Sequence, residues 1–462
     1  MSKLHKSALL CMLALRCYVP VSAQPVKSIT LPELLKVVSF NAPKLLSDSA
    51  AVIIQQNRVD QAKFNWLPAA NLNYQANLGT NNNLPGGYFS YGIVPSNSRV
   101  RDQGSASTIL TDLGIASFQW EAYNFGANKA ERSVASAALA TERAKFTQSR
   151  YELQATVVND YLQLLQISKL IEIQQLNIDR NQEIRKSIQS LAKNGIIAGV
   201  DTSIAEAELS KSRLNYIELE NQYRQVALRL ATTSGLQSEM ILPDTTMLAK
   251  IILAAPALAL SAPDSVNHPL LGIYKSLYDQ DRQEEQLIRK QFLPKLFLSA
   301  AIWGRGSSIT GTDEFKSLGS GLGFNRGNYL AGFGVSYDLF NNKRKKLALG
   351  IKEAEISYSS TKIREQDALL KLGFRQANAE VEIARRRFEE IPNQLKAASA
   401  AYRQKLSLYR NGLNDIVELN AALYILYRAE TDYIIAENSL CKAIFQKAFM
   451  ENTLNRVLAI IQ

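Results

Sequence analysis

The chain has 462 residues, a formal net charge of +11, three cysteines and two histidines. His5, Cys11 and Cys17 all fall in the first 23 residues, which leaves His268 and Cys441 for the rest. That remainder has no cysteine pair for an intrachain disulfide and too few imidazole or thiolate ligands for a zinc site, and it carries no glycine fingerprint ahead of a helix for a dinucleotide. These features argue against an enzyme and against a bound cofactor.

The opening residues read as a signal peptide over 1–23: Lys3 and Lys6 form its positive end, Ala8 to Leu15 its apolar run, and Val21-Ser22-Ala23 its cleavage site. Cys17 raises the alternative of a lipidated leader, which Arg16 directly before it fits poorly. Loss of Lys3, Lys6 and Arg16 with the leader lowers the net charge from +11 to +8. An excess of that size on an exported chain means solvated helix faces, not nucleic-acid binding. Beyond the leader no run of eighteen apolar residues occurs, so any contact with a membrane must be made by strands.

Thr30-Leu31-Pro32-Glu33 forms a capping box with an early proline and opens a small helix, and a second helix is expected from Lys44 to Trp66. After Pro68 the residues alternate strictly. Ala70, Leu72, Tyr74, Ala76 and Leu78 take one face; Asn71, Asn73, Gln75 and Asn77 take the other. A small apolar face opposite an amide-rich one suits a barrel strand between lipid and a wet lumen, although a soluble two-hairpin sheet with one buried face would alternate too. Gly114, Ala116, Phe118, Trp120 and Ala122 mark the partner strand, so a hairpin spans about 69–123 around a Gly/Asn/Pro/Ser loop. A long helix is expected over about 127–194, free of proline and internal glycine, with Val157, Leu164, Ile171 and Ile178 every seventh residue; at 1.5 Å per residue it would extend roughly 100 Å. Asn194-Gly195 ends it, and a returning helix follows over about 201–234. Residues 236–264, with Pro243, Pro256 and Pro263, read as a connector on the outside of the helical body.

The rest repeats this design, giving a first copy over 24–235 and a second over 265–462. Here the expected elements are a helix at about 269–292, a hairpin at about 295–340, a long helix at about 347–411 with a kink at Pro392, and a returning helix at about 417–450. In the second hairpin Tyr329, Ala331, Phe333, Val335, Tyr337 and Leu339 share a face, the connecting loop runs from Gly304 to Gly327, and Trp66, Trp120, Tyr337 and Phe340 sit near strand ends as an interfacial girdle would. At a constant offset of 217, "SLAKNG" meets "SLYRNG", Val200 meets Val417, Asp201 meets Glu418, Ala205 meets Ala422, and Tyr216 meets Tyr433. Asn194-Gly195 and Asn411-Gly412 are therefore the tips of two helical hairpins, at the end opposite the strands.

This doubled order of strand hairpin, long helix, Asn-Gly tip and returning helix resembles the TolC family of outer-membrane efflux proteins over essentially the whole mature chain. The acid six residues after each tip glycine (Asp201, Glu418) and the alanine four further on (Ala205, Ala422) carry the resemblance in combination. "YNFG" and "LFNN" resemble the family's strand-to-helix junctions. The resemblance implies an α+β membrane protein: a long antiparallel α-helical coiled-coil barrel continuous with a transmembrane β-barrel, four strands per chain, closed by a homotrimer. It implies an exit channel of a tripartite efflux or type I secretion system in the outer membrane of a Gram-negative bacterium, with its helical part in the periplasm. The implied partners are a periplasmic adaptor (membrane fusion) protein, an inner-membrane pump of RND or ABC type, and outer-membrane lipid. Cargo and pump class are left open by the sequence.

The resemblance also implies a gate at the tips. Glu418 matches a constriction carboxylate of the family, Asp201 is its counterpart in the first copy, and Tyr409 matches a tyrosine of the closing network. Where the family has a closing arginine and a second ring acid this chain has Asn414 and Ala421, and Asp415 is the substitute charge. A ring of such carboxylates would repel anions, attract cations and bind a blocking metal ion. Each acid has a plainer reading as well, since carboxylates at the start of a helix favour its positive end. The rival for the whole chain is a periplasmic coiled-coil scaffold or adhesion stalk without a channel, which leaves the four amphipathic strands unexplained.

Overall fold

The computed structural model describes residues 28–80, 104–195, 198–236, 241–259 and 267–461. The signal peptide with Cys11 and Cys17, most of the first hairpin loop and parts of the connector lie outside them. In chain order the elements are β1 (Ser28–Ile29), α1 (Leu31–Asn41), α2 (Pro43–Phe64), β2 (Ala69–Gly79), β3 (Ile109–Tyr123), α3 (Ala127–Lys193), α4 (Gly199–Ser234), β4 (Leu242–Pro243), α5 (Met247–Ala259), α6 (Pro269–Gln291), β5 (Lys295–Ser307), a 3-10 turn (Leu318–Gly321), β6 (Arg326–Ser336), α7 (Asn342–Arg410), α8 (Ile416–Met450) and α9 (Leu454–Ile461). They form two compact units, one of residues 1–50, 146–271 and 366–462 and the other of residues 51–145 and 272–365. Each unit takes segments from both halves of the sequence.

The first unit is built on long helices whose heptad positions face inward. Val157 and Leu164 are fully buried, Ile178 is nearly so, and in α7 Leu370, Ala377 and Ala384 continue the same spacing. Its main core joins Val158, Tyr161, Leu162 and Leu165 of α3 to Val226 and Leu230 of α4, Leu440, Ile444 and Phe445 of α8, and Leu454, Val457 and Ile461 of α9. The capping box at α1 forms as the sequence predicts: Thr30 Oγ1 accepts from the Glu33 N–H, and the Glu33 carboxylate accepts from the Thr30 N–H at 3.1 Å. That cap starts a helix whose Leu31, Leu34, Leu35 and Val38, at i, i+3, i+4 and i+7, all enter the core. Among the described residues no single helix is long and apolar enough to cross a membrane.

Two features of this unit are absent from the sequence reading. β1 and β4 pair in parallel, Ser28 with Leu242 and Ile29 with Pro243, and the buried Tyr161 hydroxyl joins them by donating to the Ile29 carbonyl (2.9 Å) and accepting from the Asp244 N–H (2.8 Å). Burial pushes the Tyr161 phenol up to about 12, so it stays a donor. The connector, expected outside, contains α5, whose Met247, Leu248 and Ile251 enter the core while Leu253 faces out. An apolar helix with one buried face hides among prolines when only the prolines are read. α7 runs through Pro392 without a break.

The second unit holds one antiparallel sheet in the order β2-β3-β5-β6. The register places Leu72, Ala116, Ile302 and Tyr329 in one row, with Tyr74, Gly114, Gly304 and Gly327 in the next row of the same face. Leu72, Leu78, Ile302, Tyr329, Phe333 and Val335 project from that face and are exposed. The opposite face mixes Asn71, Asn73, Gln75, Asn77, Gln119 and Ser299 with Trp303 and Leu330. The strand limits differ from the expected ones at both ends of the second hairpin. β5 continues past Gly304 to Ser307, because Asp112 and Thr111 of β3 extend the ladder opposite Gly306 and Ser307. β6 stops at Ser336, opposite the first residue of β5, so Tyr337 and Leu339 leave the strand. There Asp338 accepts from the Phe340 N–H at 3.0 Å, an Asx turn that redirects the chain, and α7 begins at Asn342 instead of 347.

Candidate functional site

The helical tips follow from helix-stop chemistry. After α7 the Gly412 N–H bonds to the Tyr409 carbonyl (3.0 Å) and the Leu413 N–H to the Leu408 carbonyl (3.0 Å), the paired bonds of a Schellman motif. Gly412 takes φ 71°, which a side chain would resist, and Gly195 after α3 takes the same value. The Asn411 side chain bonds back to the Ser407 carbonyl at 2.8 Å, and the Asn194 N–H to that of Ser190 at 3.2 Å. Asparagine followed by glycine thus closes each long helix.

Below the turns a small second core brings both hairpins together. Ile184 and Ile188 of α3, Ala205 of α4, Tyr409 of α7, and Ile416, Leu419 and Leu423 of α8 form one buried cluster, flanked by Tyr402 and Leu406. Ala205, predicted from the repeat, is a contact residue of this cluster, and Ala422 is likewise buried. Tyr409 is 6% exposed and its hydroxyl makes no hydrogen bond among the described residues. Burial, and after it the nearby Asp201 carboxylate, raises the phenol pKa, so the group is a protonated donor at any physiological pH. Asn414 Nδ2 and Arg185 Nε are two further buried donors at this end of the unit without an acceptor among the described residues.

The acids separate by local role. Asp415 is the N-cap of α8 and accepts from the Glu418 N–H at 2.8 Å. Glu418, about half exposed, pairs with Lys405 of α7. Asp201 lies in the first turn of α4, whose N-cap residue Ala198 supplies no side-chain bond. Each acid therefore does for its helix what carboxylates do at a positive helix end, and Glu418 in addition ties the two arms of its hairpin. The nearby pairs Arg185–Glu206 (2.7 Å) and bidentate Arg180–Glu430 (2.7 Å each) leave no signal in the sequence, where a charge on each partner stands at an unrelated spacing. Among the described residues no group of His, Cys, Asp or Glu is placed to hold a metal ion. His268 is structural: it is 6% exposed, its Nε2 faces the Phe449 carbonyl at 3.3 Å and its Nδ1 accepts from the Leu270 N–H at 3.2 Å.

At the sheet, Trp66 and Trp120 meet at the strand ends, their rings 6.2 Å apart and the Trp120 indole donating to the Trp66 carbonyl at 2.7 Å. At the opposite strand ends Phe324 folds onto the apolar face over Gly114 and Gly304, where a Cβ would stand 2.5 Å and 2.6 Å from its ring. The Gly323 N–H donates to the buried Asp112 carboxylate at 3.0 Å, and the Tyr74 hydroxyl reaches it at 3.4 Å. Among the described residues β2 and β6 are left as open edges, and every residue of both is exposed.

The chain thus holds an all-antiparallel sheet with an exposed apolar face and two helices of about 100 Å each. Residues 34–236 match the family model described as Outer membrane efflux protein. Those residues, the greater part of the first copy, carry an outer membrane efflux protein domain. The fold is shared with the CmeC outer membrane channel of Campylobacter jejuni (TM-score 0.71, 12% identity, covering 94% of this chain and 89% of that one). It is shared too with the outer membrane protein VceC of Vibrio cholerae (0.68, 15%, 90% and 95%). The open state of the MtrE outer membrane channel of Neisseria gonorrhoeae is similar to the same degree (0.69, 15%, 92% and 89%). No curated protein matches the sequence.

Proposed function

We propose that the protein is the outer-membrane exit duct of a tripartite efflux or type I secretion system in a Gram-negative bacterium. The observation that carries this reading is the sheet: four strands, an exposed apolar face and two unpaired edges. An open edge in lipid leaves backbone groups unbonded at several kcal/mol each, and barrels of this kind begin at about eight strands. Three copies would supply twelve strands and pair β2 of one with β6 of the next. The helices then continue the conduit into the periplasm, where an adaptor protein and an inner-membrane pump of the RND or ABC class would engage it.

The tips act as the gate. Asp201, Asp415 and Glu418 ring the mouth three times over, and the unspent donors of Tyr409, Asn414 and Arg185 bond to acceptors of the neighbouring copy when it is closed. Selection of cargo rests with the pump.

The test begins with outer membranes washed in carbonate or urea, followed by mass measurement in detergent and planar-bilayer recording. A wash-resistant trimer with small, cation-preferring conductance is expected, and conductance should rise when Asp415 and Glu418 are neutralised together. A lone subunit that washes off is the scaffold or stalk and ends the channel reading; unchanged conductance removes those acids from the gate.

A further inference from the structure

We propose that the turn between β6 and α7 is a binding surface for anionic phospholipid headgroups, in which Lys343, Arg344, Lys345 and Lys346 hold the phosphates and Leu339 and Phe340 anchor in the acyl boundary. This rests on the membrane placement of the sheet proposed above and adds a lipid class to it.

Helix chemistry does not account for the cluster. The four cations occupy the first turn of α7, which contains no acid, so they sit at the positive end of the helix, where cations are disfavoured. Nor does internal pairing account for it. At the helix-to-strand turns of this unit, by contrast, the cations are paired: Lys63 with Asp60 (2.7 Å), Arg289 with Glu285 (2.5 Å) and Lys295 with Glu121 (3.0 Å). None of Lys343 to Lys346 forms an ion pair among the described residues, and Asp338, the one acid between Tyr337 and Lys352, has turned to the Phe340 N–H. Four like charges held together at the wrong end of a helix repel one another until an outside anion neutralises them.

The flanks identify that anion. Phe340 is 91% exposed, and Leu339 and Leu347 stand on either side of it and the cations, also exposed. Upstream the apolar sheet face runs unbroken through Tyr329, Phe333 and Val335. An aromatic wedge passing directly into a cation cluster matches the depth profile of a bilayer edge, where acyl chains give way to phosphates. A soluble phosphate would meet the charge but leave Phe340 in water.

The full mature protein, reconstituted in phosphatidylcholine bilayers, is probed with spin-labelled phosphatidylglycerol and spin-labelled phosphatidylcholine, reading the immobilised lipid fraction. Wild type should prefer phosphatidylglycerol by roughly fivefold, the order of one surface cation's attraction to an anionic leaflet. The preference should fall towards one in the K343Q/R344Q/K345Q/K346Q variant and in high salt, while 10 mM inorganic phosphate leaves it intact. Phe340→Ser should lower the immobilised fraction of both lipids. Equal preference in wild type and the quadruple variant, or displacement by phosphate, overturns the proposal while the protein remains inserted. Absence of any immobilised lipid, with release of the protein in carbonate, overturns the membrane placement itself.

Discussion

Tyr409→Phe separates what the tip does within one chain from what it does between chains. The ring of Tyr409 fills the small core of Ile184, Ile188, Leu419 and Leu423, and the substitution keeps that packing. It removes only a hydroxyl that is buried, protonated and without an acceptor among the described residues. Burial of an unbonded hydroxyl costs about 1–3 kcal/mol, so the monomeric chain should gain about 1 kcal/mol locally, allowing for partial relaxation. Amide exchange across α7 and α8 near the tip, measured in a detergent that keeps the chain monomeric, should slow roughly fivefold, since 1.4 kcal/mol is tenfold. In the assembled channel the same hydroxyl would bond to a neighbouring copy, so its loss should raise resting conductance in planar bilayers. Tyr409→Ala is the control: it empties the core and should cost about 3–5 kcal/mol in either setting. Faster tip exchange in monomeric Tyr409→Phe would refute the reasoning, because it would mean the hydroxyl has a working acceptor inside the chain, with Asp201 the nearest charge.

Asp415→Ala removes the N-cap of α8 and should lower stability by about 1 kcal/mol in denaturant unfolding, whereas Glu418→Gln, which loses only a half-exposed pair with Lys405, should cost below about 1 kcal/mol. His268 has its pKa lowered by burial, an effect the Phe449 carbonyl partly offsets, so its contribution is whole above its unfolded value of 6.5 and is lost as pH falls through the folded one. Thermal midpoints should therefore decline below pH 6.5 in wild type and less so in His268→Gln. Gly306→Ala places a Cβ 2.1 Å from the Gly323 carbonyl and 2.3 Å from the Asp112 carboxylate. The segment 308–325 should then lift from the sheet and become sensitive to trypsin at Lys316, with helical circular dichroism unchanged.

The elements most legible in the sequence are those set by strong local chemistry. Asn-Gly dictates the left-handed stop at Gly195 and Gly412, the capping box dictates the start of α1, and a heptad free of proline dictates α3. The tip glycines are therefore legible by number, whereas Tyr409 enters only through the family resemblance. Other residues at this end carry no such mark: Ile188 reaches the tip core, and Arg185 buries its Nε, at no sequence spacing that singles them out. α5 and α9 were missed because a short apolar helix among prolines, or at a chain end, has too few turns to show a period. The end of β6 was placed too late because Tyr337 and Leu339 keep the alternation after the pairing partner has run out. Alternation records which way side chains point; only the facing strand records where the ladder stops.

A heptad seam by itself does not fix which residues of α3 lie opposite which of α4, since sliding by seven residues, about 10.5 Å, restores the apolar pattern. Ser212 of α4 supplies the missing information. Its carbonyl accepts from Gln174 Nε2 at 2.7 Å, and its hydroxyl oxygen accepts from Asn181 Nδ2 at 3.1 Å and Asn177 Nδ2 at 3.3 Å, all inside the helical body. A slipped hairpin would bury those three amides against apolar neighbours at about 1–3 kcal/mol each, more than the seam recovers by sliding. One serine and three amides thus hold the register that lets Ala205 meet Ile416 and Leu419 in the tip core, so the placement of the candidate gate depends on a polar cluster about three helical turns away from Asp201.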